Sequence, residues 1–375
     1  MHLQEVVDAT SVKQFLELPA IINRANANYI HPLDKDIESV FDRSKNPFFA
    51  HGDCIRWNLF ALDNRVIGRI AALYHFDEKI GEYRGGFGFF ECINNQQAAN
   101  LLFNQAKNWL LSKGIKQMDG PINFGTRDQW WGLLVDGYHP PVYGMFYHPP
   151  YYQELFQNFS FDILFKQYTY RRKINTEFSP AMLRRANRVL KDSSYRFSDI
   201  SRLSEIEVIN NFKEVYNASW KDFDGVNPLS EAEIAKILNH MRPVMDKKII
   251  WFAYYKEQPI GFFISLPDLN QLIVKFLRNG SLNIWQKIRF LYRKTFRKSS
   301  TIVGMVFGVH PSYQGRGVES AMILMFAKSI KQLGSQAYTE IQMNWIGDFN
   351  ERMIAVLESI AAEKYKTHCT YRFTF

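Results

Sequence analysis

Cysteine is scarce in this sequence, which has three thiols among 375 residues. Cys54, Cys92 and Cys369 are far apart and form no CxxC pair, which excludes a cysteine-based zinc module and a dense disulfide framework. The start of the chain lacks the charged and apolar segments of a signal peptide. No uncharged apolar run is long enough to span a bilayer. We therefore expect a cytoplasmic protein that binds no metal.

Acidic residues are missing from one long stretch. Between Leu269 and Val318 there are nine Lys and Arg residues and no Asp or Glu. Removing these nine from the 46 basic residues leaves 37, the acidic total, so this stretch carries the whole net charge of +9. Such a patch predicts an anionic partner, for which CoA phosphates, acidic lipid and nucleic acid are the alternatives. Nucleic acid is not expected, because no helix-turn-helix or zinc motif accompanies the patch.

Apolar residues recur at helical spacing within the same stretch, which is the pattern of a basic amphipathic helix. They are Ile284, Trp285, Ile288, Leu291, Tyr292 and Phe296. One interpretation is a helix that packs on the core and exposes a cationic face. The other is peripheral contact with an anionic membrane through residues 271–298, which would place the protein on the inner membrane face.

The order of elements is predicted to occur twice, in a chain long enough for two domains. The first half predicts strands at 55–62, 66–74 and 85–92 and a helix at 97–112. The second half predicts helices at 204–220, 318–333 and 350–362 and strands at 249–255, 259–266, 301–309 and 338–345. We therefore predict an α+β fold of two lobes, each a mixed, mostly antiparallel sheet flanked by helices. The N-terminal lobe would span residues 1–174 and the C-terminal lobe residues 175–375, with a basic insert at 267–300.

A glycine-containing loop, Gln314-Gly315-Arg316-Gly317, lies between a predicted strand and the helix that begins at Val318. The first amides of a helix have no internal partners and carry the positive end of its dipole. Glycines before them let a phosphate approach the backbone closely, and Arg316 adds charge. The loop therefore predicts an anion-binding site.

This loop resembles the Q/R-x-x-G-x-G/A signature of the GNAT (GCN5-related N-acetyltransferase) superfamily, with Glu319 where Gly or Ala is usual. The helix from Asn350 is similar to the N-x-x-A-x-x-x-Y helix of that superfamily, with Leu357 in place of the Tyr that often protonates the CoA thiolate. Tyr365 is a possible substitute. Segments 119–126, 148–152 and 266–270 are similar to a bacterial family of two-lobed GNAT proteins, most of them uncharacterised. The resemblance implies that acetyl-CoA or a longer acyl-CoA is the co-substrate and that it is bound by Val309, Gln314, Gly315, Arg316, Gly317, Val318 and Asn350.

The implied reaction is the attack of an amine on a thioester. The resemblance implies that a backbone N–H at Val309 holds the oxyanion, and Asn350 is a further catalytic candidate. Glu340 is the candidate base, because strand alternation places it on a polar face. A structural hydrogen-bonding role for Glu340 is an equally weighted alternative. His310 is interpreted as a loop-entry residue.

The N-terminal lobe resembles a second, degenerate GNAT lobe. Its loop at 92–97 has no phosphate-binding glycines, so no CoA is expected there. Polar and aromatic residues of this lobe, with one Asp from the other, are the candidate acceptor cleft: Asn123, Arg127, Asp128, Trp130 and Asp222.

The leading hypothesis is an N-acyltransferase that moves an acyl group other than an aminoacyl group from CoA to a small-molecule amine. A sharper version transfers a long acyl chain to a lipid amine at the membrane surface. One alternative is a Fem-type transferase that uses aminoacyl-tRNA. Another is a non-catalytic binding protein on a degenerate GNAT scaffold, which Glu319 and Leu357 favour.

Overall fold

A computed structural model of the protein describes residues 1–78, 80–219, 228–272, 284, 285, 288, 292, 299–334 and 338–375. The described strands are β1 (His2–Glu5), β2 (Gly52–Phe60), β3 (Val66–Asp77), β4 (Glu82–Cys92), β5 (Gln117–Gly120), β6 (Leu133–Asp136), β7 (Asp162–Lys173), β8 (Tyr195–Asp199), β9 (Trp251–Tyr255), β10 (Gln258–Pro267), β11 (Thr301–Val309), β12 (Glu340–Gly347) and β13 (Glu363–Thr374). The described helices are α1 (Ala9–Ile22), α2 (Asp34–Phe41), α3 (Gln96–Ser112), α4 (Tyr152–Asn158), α5 (Pro180–Leu190), α6 (Glu205–Ser219), α7 (Glu231–Met241), α8 (Leu269–Leu272), α9 (Val318–Gln332) and α10 (Glu351–Ser359).

All of these strands belong to one continuous sheet. Its order is β1-β2-β3-β4-β5-β13-β7-β12-β11-β10-β9-β8, with β6 also paired to β13. Most neighbours are antiparallel, while β4 with β5 and β11 with β12 are parallel. The predicted α+β fold with a mixed, mostly antiparallel sheet is confirmed.

The two central strands connect the halves of the chain. β7, from the first half, pairs with β12, and β13, from the end of the chain, pairs with β5 and β6. β7 and β13 also pair with each other. The predicted boundary at residue 174 stays a prediction, and the hydrogen-bonded sheet crosses it.

The sheet has two different faces. The helix face is covered by α3 and α4 in the first half and by α5, α9 and α10 in the second, and it contains the two largest apolar cores. The opposite face packs against α1 and α2 in the first half and α6 in the second. This face also has a loop between β6 and α4, residues 137–151, lying over its centre.

Most predicted elements of the repeated plan are found within two or three residues of their predicted ends. The strand at 301–309 is β11, the helix from 318 is α9, and the helix at 97–112 is α3. α1, α2, α4, α5, α7 and the last strand β13 were not predicted. Of the proposed amphipathic segment, Leu291 and Phe296 lie outside the described residues. Ile284, Trp285, Ile288 and Tyr292 are helical, with 70%, 75%, 52% and 60% of their surface exposed.

Those four exposed side chains decide one open question. A helix that packed these residues on the core would bury them, so for these positions the core-packing interpretation is wrong. No helix among the described residues is both long enough and apolar enough to cross a membrane.

Candidate functional site

The central feature of the site is a gap between two parallel strands. β11 and β12 pair from Thr301 opposite Glu340 to Gly304 opposite Met343, and no further. Beyond that point β11 bulges at its contact with β10, and β12 bulges at its contact with β7. The last five residues of β11 and the last four of β12 are therefore not paired with each other, which leaves a gap between the two strands.

The backbone of β11 directs polar groups into this gap. The N–H of His310 bonds to Ile260 O at 2.8 Å, on the side of β10. Because backbone groups alternate along a strand, the N–H and C=O of Val309 face the gap instead. The carbonyl of Val309 accepts a bond from Gln314 Nε2 at 2.9 Å, on that side. The geometry suits the predicted oxyanion role of Val309, which stays a prediction.

The loop that follows β11 has the conformation of an anion cradle. His310 begins a short 3-10 turn at Pro311–Tyr313, where its Nδ1 accepts from Ser312 N, as its interpretation as a loop-entry residue requires. Gly315 and Gly317 have φ of 73° and 92°, a region that side chains disfavour. Gly317 is the N-cap of α9 and gives it no side-chain hydrogen bond. The first amides of α9, from Val318 onward, are therefore free to bind an anion.

The back of the cradle is closed by α5. A Cβ added to Gly317 would lie 3.1 Å from the carbonyl oxygen of Arg185 and 3.3 Å from Cγ2 of Val189. Gly317 is therefore required both by its backbone angles and by the close approach of α5.

Cationic side chains surround the loop. Arg316 lies over the ring of Tyr313 at 5.4 Å, and Arg352 donates to Gln314 Oε1 at 3.2 Å. Arg185 and Arg188 are exposed on the adjacent helix α5. These arginines give the mouth of the cradle a positive field that suits phosphates.

Glu319 turns towards the cradle rather than away from it. Its Oε1 accepts from the N–H of Gly315 at 3.4 Å. A carboxylate therefore occupies part of the space in which a phosphate would bind, and it neutralises part of the cationic field.

Leu357 and Tyr365 do not supply an obvious acid at the cleft. Leu357 is buried and lines an apolar pocket on the helix face, together with Phe307, Phe326, Met343 and Met353. The ring of Tyr365 stacks on His139 at 4.1 Å and lies under the Arg171 guanidinium at 4.0 Å. Asn350 caps α10, since its Oδ1 accepts from Met353 N at 3.2 Å.

Glu340 lies at the paired end of β11 and β12, away from the gap. Its Oε1 accepts from Thr301 Oγ1 at 3.0 Å and from Gln342 Nε2 at 2.9 Å. This environment resembles the structural alternative more than that of a free base. Its catalytic role stays a prediction.

Polar side chains fill the centre of the opposite face, on three adjacent strands. They are Glu340, Gln342 and Asn344 of β12, Gln167, Thr169 and Arg171 of β7, and Lys366, His368 and Thr370 of β13. Lys366 Nζ donates to Pro140 O at 2.8 Å and to Gln342 Oε1 at 3.2 Å, and its burial lowers its pKa to about 8. This central polar array is therefore enclosed by both halves of the chain.

The edge of the array nearest the gap is apolar. Val142, Met145 and Val303 form a buried cluster against which Met305 and Trp345 pack. Trp345 has a φ of 66° and lies within the bulge of β12, so its ring leans over the opposite face beside His368. A molecule reaching the gap from this side would meet both apolar and polar surface.

The predicted acceptor residues are only partly brought together. Trp130 is buried against Phe146, next to the array, and its Nε1 has no hydrogen-bond partner among the described residues. Asn123 is also buried, and its Oδ1 likewise has no partner there. Arg127 lies farther out over Phe165 at 5.9 Å, and Asp128 bonds to Thr126. Asp222 lies outside the described residues.

Sequence reasoning missed Thr169, Asn344, Lys366 and His368. They come together through pairing of β7 with β12 and β13, strands far apart in sequence. The alternation of Lys366, His368 and Thr370 along the last strand is a local signal that could have indicated a polar face there, as the alternation along β12 did for Glu340. Within the described ranges, no group of three or more His, Cys, Asp or Glu side chains is placed to hold a metal ion.

Comparison with known proteins adds the following. No protein-family profile matches the chain. A protein of Caulobacter vibrioides named bacterial ceramide synthase is 26% identical over 373 residues, which cover 96% of this chain and 94% of that protein. Protein YghO of Escherichia coli is 26% identical over 375 residues, with 97% and 93% covered.

Two solved structures resemble the whole chain. A tandem GNAT protein from the clavulanic acid biosynthesis pathway superposes with a TM-score of 0.57 and 10% identity, over 100% of this chain and 98% of that one. The fungal multi-domain GH3 β-N-acetylglucosaminidase with a GCN5-related glucosamine N-acetyltransferase region gives a TM-score of 0.58 at 10% identity, over 99% of this chain. The match spans only 38% of that longer chain. These superpositions show that the chain has the two-lobed fold of tandem GNAT proteins.

Proposed function

We propose that this protein is an acyl-CoA-dependent N-acyltransferase whose donor binds between β11 and β12. The observation that carries the proposal is the cradle before α9, where Gly317 leaves the first amides uncapped beside an open gap. A pyrophosphate can accept hydrogen bonds from these amides while the surrounding arginines balance its charge. The rest of the donor would extend along β11, whose backbone groups face the gap.

The reaction needs proximity more than it needs a strong acid or base. The amine nitrogen forms a bond to the thioester carbonyl carbon, and the carbonyl electron pair moves to oxygen, near the N–H of Val309. Collapse of this intermediate breaks the carbon–sulfur bond. The proton lost by nitrogen ends on the CoA thiolate, which is a good leaving group and therefore tolerates Leu357 in place of a tyrosine.

Calorimetric titration with CoA, acetyl-CoA and palmitoyl-CoA tests the donor. We expect binding of CoA, with tighter binding of palmitoyl-CoA if the acyl chain is long. Absence of binding by all three would remove the proposal. It would leave the aminoacyl-tRNA-dependent and non-catalytic alternatives.

The finer proposal is that the acceptor is a lipid amine. The apolar cluster of Val142, Met145 and Val303 beside the polar array supports an acceptor with one polar and one apolar end. The name of the Caulobacter vibrioides relative, a ceramide synthase, points in the same direction.

We also propose that the protein docks on anionic membranes through the exposed apolar residues Ile284, Trp285 and Ile288. Ile284, Trp285 and Ile288 are exposed on one helical face, in a stretch of sequence that has cations and no acids. Apolar side chains enter the headgroup region while nearby cations attract anionic lipid.

Flotation with vesicles tests this docking. Wild type should float with vesicles rich in phosphatidylglycerol at low salt and remain behind with phosphatidylcholine vesicles. Trp285→Ser with Ile288→Ser should reduce flotation, whereas Leu62→Ser, at a position that is 92% exposed in the N-terminal half, should not. Equal flotation of all three proteins would contradict the assignment of the surface.

A further inference from the structure

Three polar atoms of the central array have no hydrogen-bond partner among the described residues. They are Oγ1 of Thr169, Oδ1 of Asn344 and Nε2 of His368. Thr169 and His368 are each only 1% exposed. Buried polar atoms are normally bonded, because an orphaned atom has lost water without compensation. Three such atoms on adjacent strands therefore point to a ligand.

Strand register brings the three side chains together. Met343 pairs with Tyr170 and Ile346 with Tyr168, so Asn344 and Trp345 both lie opposite Thr169. On its other side Thr169 pairs with Lys366, and His368 is the next residue of β13 on the same face. Side chains directly opposite one another have Cβ atoms about 5 Å apart, and diagonal neighbours are about 7 Å apart. The cluster lies where β12 separates from β11.

The chemistry of the cluster is that of hydrogen-bond acceptors. The ring of His368 bonds to the backbone of Phe146, and this bond raises its pKa, as donation to a carbonyl does. Burial first, and then the charge of Lys366, lower the pKa of His368 to about 3. The imidazole is therefore neutral, and Nε2 has a free lone pair. Asn344 Oδ1 is also an acceptor, and the Thr169 hydroxyl can donate or accept.

Charged and titratable neighbours favour a neutral ligand. Lys366 lies beside His368 on β13, and burial drives the pKa of His148, in the covering loop, well below its usual value. Glu340 and Arg171 are farther along the array, where Glu340 bonds to Thr301 and Arg171 pairs with Glu363. An uncharged amine with two N–H groups satisfies more of the cluster than an ammonium ion placed beside Lys366. It is also the form that attacks a thioester.

We propose that Thr169, Asn344 and His368 bind the polar head of an amine that has a hydroxyl on a neighbouring carbon. The amine donates to His368, and the hydroxyl bonds with Thr169 and Asn344. Asn344 and Trp345 are half-buried, so the head enters beside them, and the apolar remainder lies on Val142, Met145 and Trp345. This inference rests on the proposed function and specifies its acceptor subsite.

The experiment compares two probes that differ only in the hydroxyl, 2-aminooctan-1-ol and 2-aminooctane, by calorimetry on the full-length protein. Wild type should bind the amino alcohol about tenfold more tightly, since one added hydroxyl completes two hydrogen bonds. Thr169→Val removes the hydroxyl with little change of shape, and it should abolish the preference. Thr367→Val, on the helix face of the same strand pair, should retain it. Asn344→Ala, at a half-buried position, should reduce the preference.

Urea unfolding of the free protein separates a ligand site from a structural one. Thr169→Val should leave the unfolding midpoint unchanged or raise it, because it removes an unsatisfied buried hydroxyl. A lower midpoint with an intact preference would show that the hydroxyl serves the fold, and would overturn the inference. Equal binding of the two probes by wild type would overturn it as well.

Titration of the same proteins with CoA distinguishes the two proposals. Normal CoA binding together with equal binding of both probes would end the inference and leave the proposed function standing. If wild type does not bind CoA, the proposed function itself is wrong.

Discussion

The two lobes start the helix after their central strand in different ways. In the N-terminal lobe α3 is capped by Asn95, whose side chain accepts from Ala98 N at 2.9 Å. In the C-terminal lobe α9 begins at Gly317, which offers no side chain and has a φ of 92°. A capped helix has already satisfied the amides that an anion needs, whereas an uncapped one has not. The same fold is therefore a scaffold on one side and a candidate donor site on the other.

The parallel strand pairs of the two lobes, β4 with β5 and β11 with β12, also differ. β4 and β5 pair only at Gly86 opposite Asp119, but the gap beyond is closed, since Ile122 N donates to Phe87 O at 2.8 Å. A Cβ on Gly88 would lie 1.8 Å from Ile122 O, so the chain passes directly against β4. Between β11 and β12 no such segment intervenes among the described residues. Two local features, a cap and a crossing segment, distinguish the lobes.

The largest expected effect is on the cradle. Gly317→Asp should weaken CoA binding by more than about 100-fold, because the side chain meets α5 and its charge repels a phosphate that backbone amides would bind. Calorimetry measures the affinity. The control is Gly334→Asp, which also replaces a glycine at positive φ, at the other end of α9 and in open space. Similar CoA affinity in both variants would show that the loop before α9 is not the CoA-binding site.

A second prediction compares the buried carboxylates of the two lobes. Glu91 has the charged partner Arg69 and a bond from Tyr152 at 2.7 Å, whereas Asp268 accepts from the backbone N–H of Tyr143 and of Asn270, both at 3.1 Å. Burial raises the pKa of Asp268 to about 6 and that of Glu91 to about 7, so both carboxyl groups titrate above their usual range. When the pKa of a carboxyl group is higher in the folded state than in the unfolded state, its contribution to stability is fully present below the unfolded-state pKa. That contribution is lost as the pH rises through the folded-state pKa.

Asp268→Asn keeps an acceptor oxygen for both amides and removes this titration. Between pH 4 and 6, wild type should lose roughly 1–3 kcal/mol of unfolding free energy relative to the variant. Urea unfolding at a series of pH values gives the difference. A parallel pH dependence in both proteins would mean that Asp268 is not a source of the effect.

A smaller effect is expected at the cap of the N-terminal lobe. Asn95→Ala should lower the unfolding free energy by about 1 kcal/mol, because α3 loses its side-chain cap. CoA affinity, measured by calorimetry, should not change. A change in CoA affinity would indicate that CoA binds in the N-terminal lobe, which would contradict the proposed donor site.

The smallest effect concerns Glu319. Glu319→Gln should tighten CoA binding about fivefold, because it removes a carboxylate that lies against the Gly315 amide near the phosphate. Glu351→Gln, which removes an acid from the first turn of α10, is the matched control. Weaker binding in Glu319→Gln would show that the carboxylate holds the loop in its binding conformation.

Local patterns predicted much of the fold. The glycines and the strand before them predicted where β11 ends and α9 begins, because helix starts and positive φ are properties of a few adjacent residues. The alternation along β11 and β12 was also readable. In contrast, Glu340 was selected from alternation alone, and the structure places it at the paired end of the strands. Alternation specifies a face of a strand, but it does not specify where two strands separate.

By itself, the sequence determined the two-lobed α+β plan, the glycine-containing loop at residues 314–317 that we propose binds an anion, and the location of the positive charge. These depend on periodicity, glycine conformation and composition, which act over short distances along the chain. Only the tertiary structure decided that β7 and β13 lie side by side at the centre of one sheet. The pairing of β7 with β12 and with β13 joins Thr169 to Asn344 and His368 across about 200 residues of sequence, and no local pattern encodes a contact of that separation.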